Sequence, residues 1–367
     1  MKILINASNL HVGGGVQVAA SFITELYELN RFDLSIVCSS KVQKNVAESI
    51  DCTKFNRFDI CDVHATFRLS REQKDLFESY DVCFTVFGPF YQAINVKTHI
   101  CGFAQAWIAY PNNVAYDMLP FKEKWKNKIK FKIQSMFFKN YDHLIVEQQH
   151  VKKALLTLGY NEKNISVVNN CISKVFEDGN QWEPINVNEN KLISDVVIGF
   201  IGRAYSHKNV NILKDVNSIL ISKYNFMCDF VFTFTKDEMH SLGFDEISNF
   251  STVGEININQ CPRFYTSIDA LIFPSLLECF SVSPIEALKM KTTILASNYS
   301  FVEEVCKESA FYFDPLDSYS IAETIYNCFQ NEEVRLEKIS KGYELVNELP
   351  SARDRAVSNL KIIENRH

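Results

Sequence analysis

Short runs of β-branched, aromatic and aliphatic residues alternate with longer segments of helical periodicity along the whole chain. In the first half these runs cover residues 2–6, 33–38, 81–86, 98–103 and 142–147. In the second half they cover residues 195–202, 228–235, 250–254, 269–274 and 292–297. This alternation is typical of βαβ units on parallel sheets. Because 367 residues exceed one ordinary core, the pattern predicts an α/β protein of two domains.

A polar stretch, EDGNQWEPINVNEN, occupies residues 177–190 and shows neither a helical nor a strand period. It contains Gly179 and Pro184, so we place the interdomain linker there. The predicted division is 1–178 for the first domain, 179–190 for the linker, 191–347 for the second domain and 348–367 for a terminal helix.

The composition argues against several classes of protein. Its 47% hydrophobic and 22% charged residues are those of a globular protein, and no run reaches the roughly 18 apolar residues of a membrane-spanning helix. The first residues predict a buried strand rather than a secretory signal. Eleven scattered cysteines without a C-x2-C pair indicate neither a disulfide framework nor a zinc site, and fit a reducing cytosol. A pI near 5.8 argues against nucleic-acid binding.

Two glutamates, Glu278 and Glu286, are separated by an E-x7-E spacing around a Ser-Pro turn. One interpretation is structural: Ser283 caps a helix whose first residue is Pro284, and Glu286 completes a capping box. The other is functional. A loop at the carboxyl edge of a parallel sheet places both carboxylates beside a ligand, and carboxylates suit vicinal hydroxyls while a helix start suits phosphate. Such a site fits a sugar nucleotide.

The surrounding stretch, PSLLECFSVSPIEALKMKTTILASN, resembles the donor-binding signature P-S-x-x-E-G-F-G-x-x-x-x-E-A of the retaining GT-B glycosyltransferases of family 4. Other stretches resemble segments of that family in the same order: HVGGGVQVAASFITEL, DHLIVEQQHVKKALLTLGY with ISVVNNCI, FIGRAYSHKNV, FSTVGEI and AFYFDPLD. The resemblance covers nearly the whole chain. It implies a GT-B fold of two Rossmann-like domains whose parallel sheets face a central cleft, with segment 348–367 crossing back to the first domain.

The resemblance also implies roles for individual residues. Arg203 and Lys208 would hold the donor diphosphate without a metal, in agreement with the absence of a D-x-D triplet from the sequence. Glu278 would bind the sugar hydroxyls and Glu286 the nucleotide ribose. The remaining implied donor contacts are Val253 and Gly254 beside the base, and the backbone amides of Phe280, Ser281 and Val282. From the residues alone, Arg203 and Lys208 also fit a solvated pair at a strand end.

The chain departs from the family pattern at two places. Cys279 and Ser281 replace the glycines of E-G-F-G. Many relatives carry a histidine or aspartate in a first-domain loop where this chain offers Gln105 and Trp107, so the sequence assigns no catalytic residue to the first domain. His99 in the same region is predicted to be buried or to cap a strand. Retaining members are thought to use the leaving phosphate to deprotonate the acceptor, so a missing base fits the activity.

The glycines Gly13, Gly14 and Gly15 precede a predicted helix whose free N–H groups suit a phosphate, and we take Gly14 and Gly15 as binding candidates. A dinucleotide oxidoreductase is disfavoured, because its fingerprint needs glycine at Val18 and an acid after the second strand. A tight turn without a ligand stays open.

Residues 121–139 carry seven lysines and one glutamate, with Trp125, Ile129, Ile133 and Phe137 at four-residue intervals. This segment fits an anionic membrane surface, or equally an ordinary helix packed on the first domain. Residues 1–180 hold 21 Lys and Arg against 18 Asp and Glu, so the acidic excess lies in the second half.

The resemblance thus implies a cytoplasmic, metal-independent retaining glycosyltransferase of hexosyltransferase type. If segment 121–139 contacts lipid, the protein would be peripheral on the inner face of the plasma membrane. It would use a UDP-, GDP- or dTDP-sugar, no cofactor, and a lipid-linked saccharide acceptor in O-antigen or capsule synthesis. A GT-B sugar-nucleotide epimerase and a catalytically silent sugar-nucleotide-binding protein are the alternatives.

Overall fold

The computed structural model describes residues 1–46, 50–64, 68–185, 187 and 192–366. Residues 186 and 188–190 of the predicted linker lie outside this range. The strands are β1 Ile3–Ala7, β2 Ser35–Cys38, β3 Arg57–Ile60, β4 Val82–Thr85, β5 Thr98–Phe103, β6 His143–Val146, β7 Ile165–Val167, β8 Val197–Phe200, β9 Asp229–Phe232, β10 Phe250–Thr252, β11 Ala270–Phe273, β12 Thr293–Ser297 and β13 Ala310–Phe313.

The α-helices alternate with these strands. They are α1 Gly14–Glu28, α2 Ser40–Val46, α3 Arg71–Asp75, α4 Ala106–Ala109, α5 Phe121–Phe138, α6 Gln149–Thr157, α7 Leu213–Tyr224, α8 Lys236–Leu242, α9 Cys261–Thr266, α10 Ser283–Lys289, α11 Ser300–Cys306, α12 Ser318–Gln330, α13 Glu332–Asn347 and α14 Ala352–Glu364. None of the helices in the described residues has both the length and the apolar character required to cross a membrane.

The chain divides into two compact units. The first unit contains residues 1–111, 125–171 and 350–367, and the second contains residues 112–124 and 172–349. Each unit holds one sheet, and every strand pairing in both sheets is parallel among the described residues. The predicted α/β class with two parallel sheets is confirmed.

The sheet of the first unit has seven strands in the order β3-β2-β1-β4-β5-β6-β7. All five strands predicted in this half are present, and β3 and β7 are additional edge strands. The interior strand β1 is buried on both faces: Ile3 and Ile5 pack into one apolar cluster, and Leu4 packs into another. Burial on both faces explains why this strand reads as a continuous apolar run.

The sheet of the second unit has six strands in the order β10-β9-β8-β11-β12-β13. The five predicted strands are again present, and β13 is an additional edge strand. Phe230 and Phe232 of β9 face one apolar cluster while Val231 faces the other. Helices therefore cover both faces of this sheet, as expected for a parallel sheet.

Helix α14 belongs to the first unit. Ser351 caps it: its hydroxyl accepts from the amide of Asp354 over 3.1 Å, and the Asp354 carboxylate accepts from the Ser351 amide over 3.0 Å. The apolar residues Ala356, Leu360 and Ile363 of this helix are buried in the apolar cluster that contains Ile3 and Ile5.

Candidate functional site

The order in which the chain adds strands to the second sheet reverses between β8 and β11. The chain adds β9 and β10 on one side of β8 and then returns to place β11 on its other side. Loops at the carboxyl ends of two such strands part from one another, and ligands of open α/β sheets bind in the resulting crevice. Arg203 and Lys208 follow β8, and Glu278 follows β11. These three predicted site residues therefore flank the switch point of the second sheet.

The loop after β8 is fixed by contacts to neighbouring loops. Gly202 has φ of +133°, a backbone conformation that favours glycine, and its amide donates to the Thr233 hydroxyl over 2.9 Å. The carbonyl of His207 accepts from the amide of Leu276 in the loop after β11 over 2.8 Å. Asn209, in the left-handed conformation, donates its side-chain amide to the Pro315 carbonyl over 2.7 Å. These contacts position the short 3-10 helix that ends at Lys208.

Lys208 and Glu278 form an ion pair, with 2.5 Å between Nζ and Oε1. Their side chains are only 15% and 13% exposed, and the Lys208 amino group lies 5.3 Å from the centre of the Phe273 ring. A pair this far removed from water interacts more strongly than a surface pair. The arrangement places a cation that attracts phosphate beside an acceptor that suits sugar hydroxyls.

Arg203 has different partners. Its Nε lies 3.1 Å from Oε1 of Glu238, and its guanidinium also pairs with Glu255. Burial raises the pKa of Glu238, but the amides of Thr235 and Ala204 and the Arg203 charge together hold this pKa below its usual value. Among the described residues, the ion pairs of Arg203 are thus made with glutamates other than Glu278, although both cations belong to the same loop.

The capping-box interpretation of Glu286 is wrong. Helix α10 begins at Ser283 with Val282 at the N-cap position, no side chain caps it, and its first turn contains Pro284. Instead, Oε2 of Glu286 accepts a hydrogen bond of 2.8 Å from the hydroxyl of Tyr265 in α9. Burial raises the pKa of Glu286 to about 7, although the Tyr265 hydroxyl opposes the rise. The carboxylate is thus hydrogen-bonded to a neighbouring helix rather than to the first amide of its own helix.

The other predicted donor-binding residues of the second unit lie in loops at the same edge. Val253 and Gly254 directly follow β10, and Gly254 has φ of +79° with its amide donating to the Thr252 hydroxyl over 3.0 Å. Phe280 and Val282 pack against the apolar cluster around Phe273, with Ser281 between them in the turn before α10.

The first sheet also has a switch point, between β1 and β4. The predicted glycine turn lies there: α1 begins at Gly14, and Gly13 before it has φ of +69°. No side chain caps this helix. A Cβ atom on Gly14 would meet nothing within 4 Å, and one on Gly15 would meet only ordinary contacts with Leu10 and Phe87. The backbone requires glycine at position 13, while Gly14 and Gly15 remain binding candidates.

The first-unit residues considered as catalytic candidates are Gln105, Trp107 and His99. Their contacts assign none of them a role as a catalytic acid or base. Gln105 is the N-cap residue of α4, and the Trp107 ring stacks on Phe131 at 5.7 Å. His99 is half-buried: its Nε2 lies 2.9 Å from the Thr85 hydroxyl, and its partial removal from water lowers its pKa to about 4. No group of three or more His, Cys, Asp or Glu side chains that could hold a metal occurs in the described ranges.

Helix α5 exposes three of the four residues of the predicted apolar stripe, whereas the fourth, Phe137, packs edge-on against Tyr91 with 5.0 Å between ring centres. Trp125, Ile129 and Ile133 are 53%, 58% and 48% exposed. The helix packs on the first unit through a different face, which includes Phe131 against Trp107 and the buried Phe138 against Phe103. The helix is therefore packed on the first unit, as the ordinary interpretation expects, while Trp125, Ile129 and Ile133 are left exposed.

Sequence reasoning missed Tyr265, Glu238 and Glu255. Glu238 had a local signal, since Thr235 and Glu238 form a capping box at the start of α8. Tyr265 had none, because its contact with Glu286 spans 21 residues of sequence.

Two doubly wound parallel sheets, with charged residues at the carboxyl edge of the second, are typical of the GT-B class of folds. A glycosyltransferase from Rickettsia africae matches with a TM-score of 0.66 and 16% identity, covering 99% of this chain and 98% of that chain. HepE from Anabaena, solved with UDP and glucose, matches with a TM-score of 0.65 and 12% identity, covering 99% of both chains. The chain has the GT-B fold.

Sequence comparisons point to the same class. Residues 184–345 match the family model described as glycosyl transferases group 1. An uncharacterized 41.2 kDa protein in the cps region of Klebsiella pneumoniae is 24% identical over 325 residues, covering 81% of each protein. The O-antigen chain mannosyltransferase RfbU of Salmonella typhimurium is 24% identical over 221 residues, covering 59% of this chain and 60% of that protein. The chain resembles the group 1 glycosyltransferases, and these matches support a glycosyltransferase.

Proposed function

We propose that this protein is a retaining, metal-independent hexosyltransferase that moves a sugar from a nucleotide-sugar donor to a glycan acceptor in surface polysaccharide synthesis. The observation that carries the proposal is the Lys208–Glu278 pair at the switch point of the second sheet. A donor of this kind presents a diphosphate next to a ring of hydroxyls, and the pair offers a matching cation and acceptor.

In this proposal the donor diphosphate binds Lys208 and Arg203, and the sugar hydroxyls donate to Glu278. The nucleotide ribose binds Glu286, and the base lies beside Val253 and Gly254. Gly254 has a positive φ, a backbone conformation that a residue with a side chain adopts only with strain. The amides of Phe280, Ser281 and Val282 face phosphate and sugar, and Gly14 and Gly15 of the first unit are further donor-binding candidates.

The reaction breaks the bond between the anomeric carbon and the diphosphate oxygen, and the acceptor oxygen forms the new bond on the same face of the sugar. The acceptor proton passes to the departing diphosphate oxygen. Negative charge grows on the diphosphate as it leaves, so fixed cations stabilise the transition state more than the ground state. Lys208 and Arg203 would supply this stabilisation.

The comparisons guide the choice of substrates. RfbU is named as an O-antigen chain mannosyltransferase, which supports a hexose donor and a glycan acceptor. HepE was solved with UDP and glucose, which supports a nucleoside diphosphate at this fold. The panel to be tested comprises UDP-, GDP- and dTDP-sugars.

We further propose that the enzyme works at the inner face of the plasma membrane through the face of α5 that carries Trp125, Ile129 and Ile133. These exposed apolar side chains are interspersed with Lys126, Lys128, Lys130 and Lys132. Amphipathic basic helices bind anionic lipid surfaces by burying the apolar side chains and pairing the lysines with headgroups. A lipid-linked acceptor would be presented at such a surface.

The activity is tested by incubating the purified protein with each donor alone and analysing the products by NMR. A glycosyltransferase hydrolyses its donor slowly to free sugar and nucleoside diphosphate. An epimerised nucleotide sugar would instead show an isomerase, and binding without any product would show a silent binding protein.

A further inference from the structure

Glu286 receives its hydrogen bond from a residue that no resemblance or motif assigned to the site. The Tyr265 hydroxyl lies 2.8 Å from Oε2 of Glu286, and both side chains are buried. Tyr265 belongs to α9 and Glu286 to the first turn of α10. The backbone of α9 is tied in place here, since the Tyr265 carbonyl accepts from the Thr292 hydroxyl over 2.8 Å.

This contact occupies one of the two carboxylate oxygens. In the described part of the chain, Tyr265 is the side chain that donates to Glu286. Each carboxylate oxygen accepts about two hydrogen bonds, so Oε1 keeps its capacity to accept from a ligand. A rigid and fully buried aromatic donor fixes the rotation of the carboxylate group more firmly than solvent would.

We propose that Tyr265 is a positioning residue for the nucleotide ribose: its hydroxyl holds Oε2 of Glu286, and thereby presents Oε1 to the ribose hydroxyls. This inference rests on the proposed function, because it assumes that Glu286 binds ribose. It adds a residue that acts through Glu286 without itself touching the donor.

The surroundings of Glu286 give the proposal a pH signature. The titratable groups that face it are Tyr265 and Cys261 of α9, and burial raises the pKa of both. Lys289 of α10 is engaged elsewhere, 2.9 Å from the Asn347 side chain and 3.9 Å from Glu177. The Tyr265 hydroxyl lowers a Glu286 pKa that burial has raised to about 7. Removing the hydroxyl should therefore raise this pKa further.

The test measures the affinity of UDP, GDP and dTDP and of their 2′,3′-dideoxy counterparts by calorimetry between pH 6 and 8. The dideoxy forms lack every ribose hydroxyl that could donate to Glu286. For Tyr265→Phe we expect affinity for the hydroxylated form to fall on the order of tenfold at pH 7, the loss of about one hydrogen bond. The dideoxy form should be unaffected, and the pH midpoint of binding should move upward.

Two further variants sharpen the result. Tyr141→Phe removes another buried hydroxyl, which accepts from the amide of Phe90 over 2.8 Å in the first unit, and should change neither the affinity ratio nor the midpoint. The double variant Tyr265→Phe/Glu286→Gln should bind like Glu286→Gln alone, because Tyr265 acts only through Glu286.

Equal weakening of hydroxylated and dideoxy forms in Tyr265→Phe, with an unmoved midpoint, would overturn the positioning role. The positioning role would also be overturned if Tyr265→Phe binds the nucleotides with wild-type affinity while Glu286→Gln has lost its preference for the hydroxylated form. In that case the ribose role of Glu286 in the proposed function would remain supported without Tyr265. If the wild-type protein binds none of the three nucleotides, the proposed function and this inference fall together.

Discussion

The amino group of Lys208 lies 2.5 Å from Oε1 of Glu278, although 70 residues separate them in the sequence. The loop after β8 and the loop after β11 meet at this contact, at the point where the second sheet changes direction. Each side chain neutralises the other in the absence of a donor. Under the proposed function, a nucleotide sugar would replace part of this contact with its own phosphate and hydroxyl groups.

Removing one partner of this pair should destabilise the protein. Removing both charges together should restore stability but not activity. Lys208→Met leaves a mostly buried carboxylate unpaired, so we expect a loss of about 1.5–3 kcal/mol in the free energy of unfolding. Lys208→Met/Glu278→Gln removes both charges and should recover most of that loss. Denaturant unfolding and donor hydrolysis are measured on the same samples. Hydrolysis in the double variant at the wild-type rate would show that the pair is structural only.

Arg203→Ala should reduce donor turnover at least tenfold while changing the affinity for the nucleoside alone much less. The physical reason is that the Arg203 charge acts chiefly on the departing diphosphate. Arg263→Ala is the matched control, because Arg263 stacks on Trp182 in the same unit at 5.3 Å and has no proposed role. EDTA should leave wild-type turnover unchanged. Full activity of Arg203→Ala, or abolition of activity by EDTA, contradicts the metal-free mechanism.

Donor affinity should depend on pH through Glu286. Burial raises the pKa of this carboxyl to about 7, and an ionised carboxylate accepts from ribose hydroxyls more strongly than a protonated one. We therefore expect donor affinity to increase with pH and level off above 7, falling about tenfold for each pH unit below that value. Glu286→Gln should flatten the profile. A wild-type profile that is flat from pH 5.5 to 8 would disprove the role of this ionisation.

The same carboxyl should make folding stability pH-dependent in the opposite sense. Its pKa is about 7 in the folded protein against an ordinary value of 4.5, so the folded state holds the proton more tightly. The contribution to the free energy of unfolding is fully present below pH 4.5 and is lost as the pH rises through 7. The difference in unfolding free energy between the wild type and Glu286→Gln, measured from pH 5 to 8, reports this contribution. The wild type should lose stability relative to the variant as the pH rises, and a difference independent of pH is the contrary result.

Vesicle co-sedimentation should require anionic lipid and weaken with salt. Changing Lys126, Lys128, Lys130 and Lys132 to Gln should abolish it, since each lysine near an anionic surface contributes about 1 kcal/mol. Lys124 is left unchanged because it pairs with Asp117 at 2.6 Å. A control variant that changes four exposed lysines outside α5, namely Lys41, Lys44, Lys236 and Lys307, should still bind.

Trp125→Ser/Ile129→Ser should also weaken vesicle binding without lowering the unfolding temperature, because both side chains are already exposed. Donor hydrolysis in solution should survive in every one of these helix variants. Binding of the quadruple α5 variant equal to that of the parent would mean that these lysines only face water.

Ser351→Ala should lower the free energy of unfolding by about 1 kcal/mol, because it removes the cap of α14. Ser222→Ala is the control: this exposed serine donates to the Ser218 carbonyl within its own helix, and its loss should be near neutral. Calorimetric unfolding compares the two variants. If both variants unfold at the same temperature, the cap of α14 does not contribute measurably to the stability of the protein.

Periodicity predicts the central parts of both sheets, because strands buried on both faces leave continuous apolar runs in the sequence. It misses β3, β7 and β13, which are short strands at sheet edges. Edge strands are buried less evenly: in β3, no residue is fully buried and Ile60 is exposed. Their apolar patterns are accordingly weak.

In the candidate site, too, the sequence predicts features that depend on neighbouring residues and misses a contact between residues far apart in the chain. Strand ends place Arg203, Lys208 and Glu278 at one edge of a sheet, and this follows from the sequence pattern alone. The Ser-Pro-Ile-Glu segment, however, fits a capping box as well as it fits a buried carboxylate. Only the contact with Tyr265, on another helix, decides between them, and no local pattern encodes it.

The central claim is that the carboxyl edge of the second sheet binds a nucleotide sugar, and thermal unfolding in the presence of UDP-, GDP- and dTDP-sugars tests it most directly. At one hundred times its dissociation constant, the correct donor should stabilise the wild-type protein by about 2.7 kcal/mol. Glu286→Ala should lose most of this ligand-induced gain, whatever its own stability. If no donor in the panel raises the unfolding temperature, or if a donor stabilises Glu286→Ala as much as the wild type, the proposed donor site is wrong.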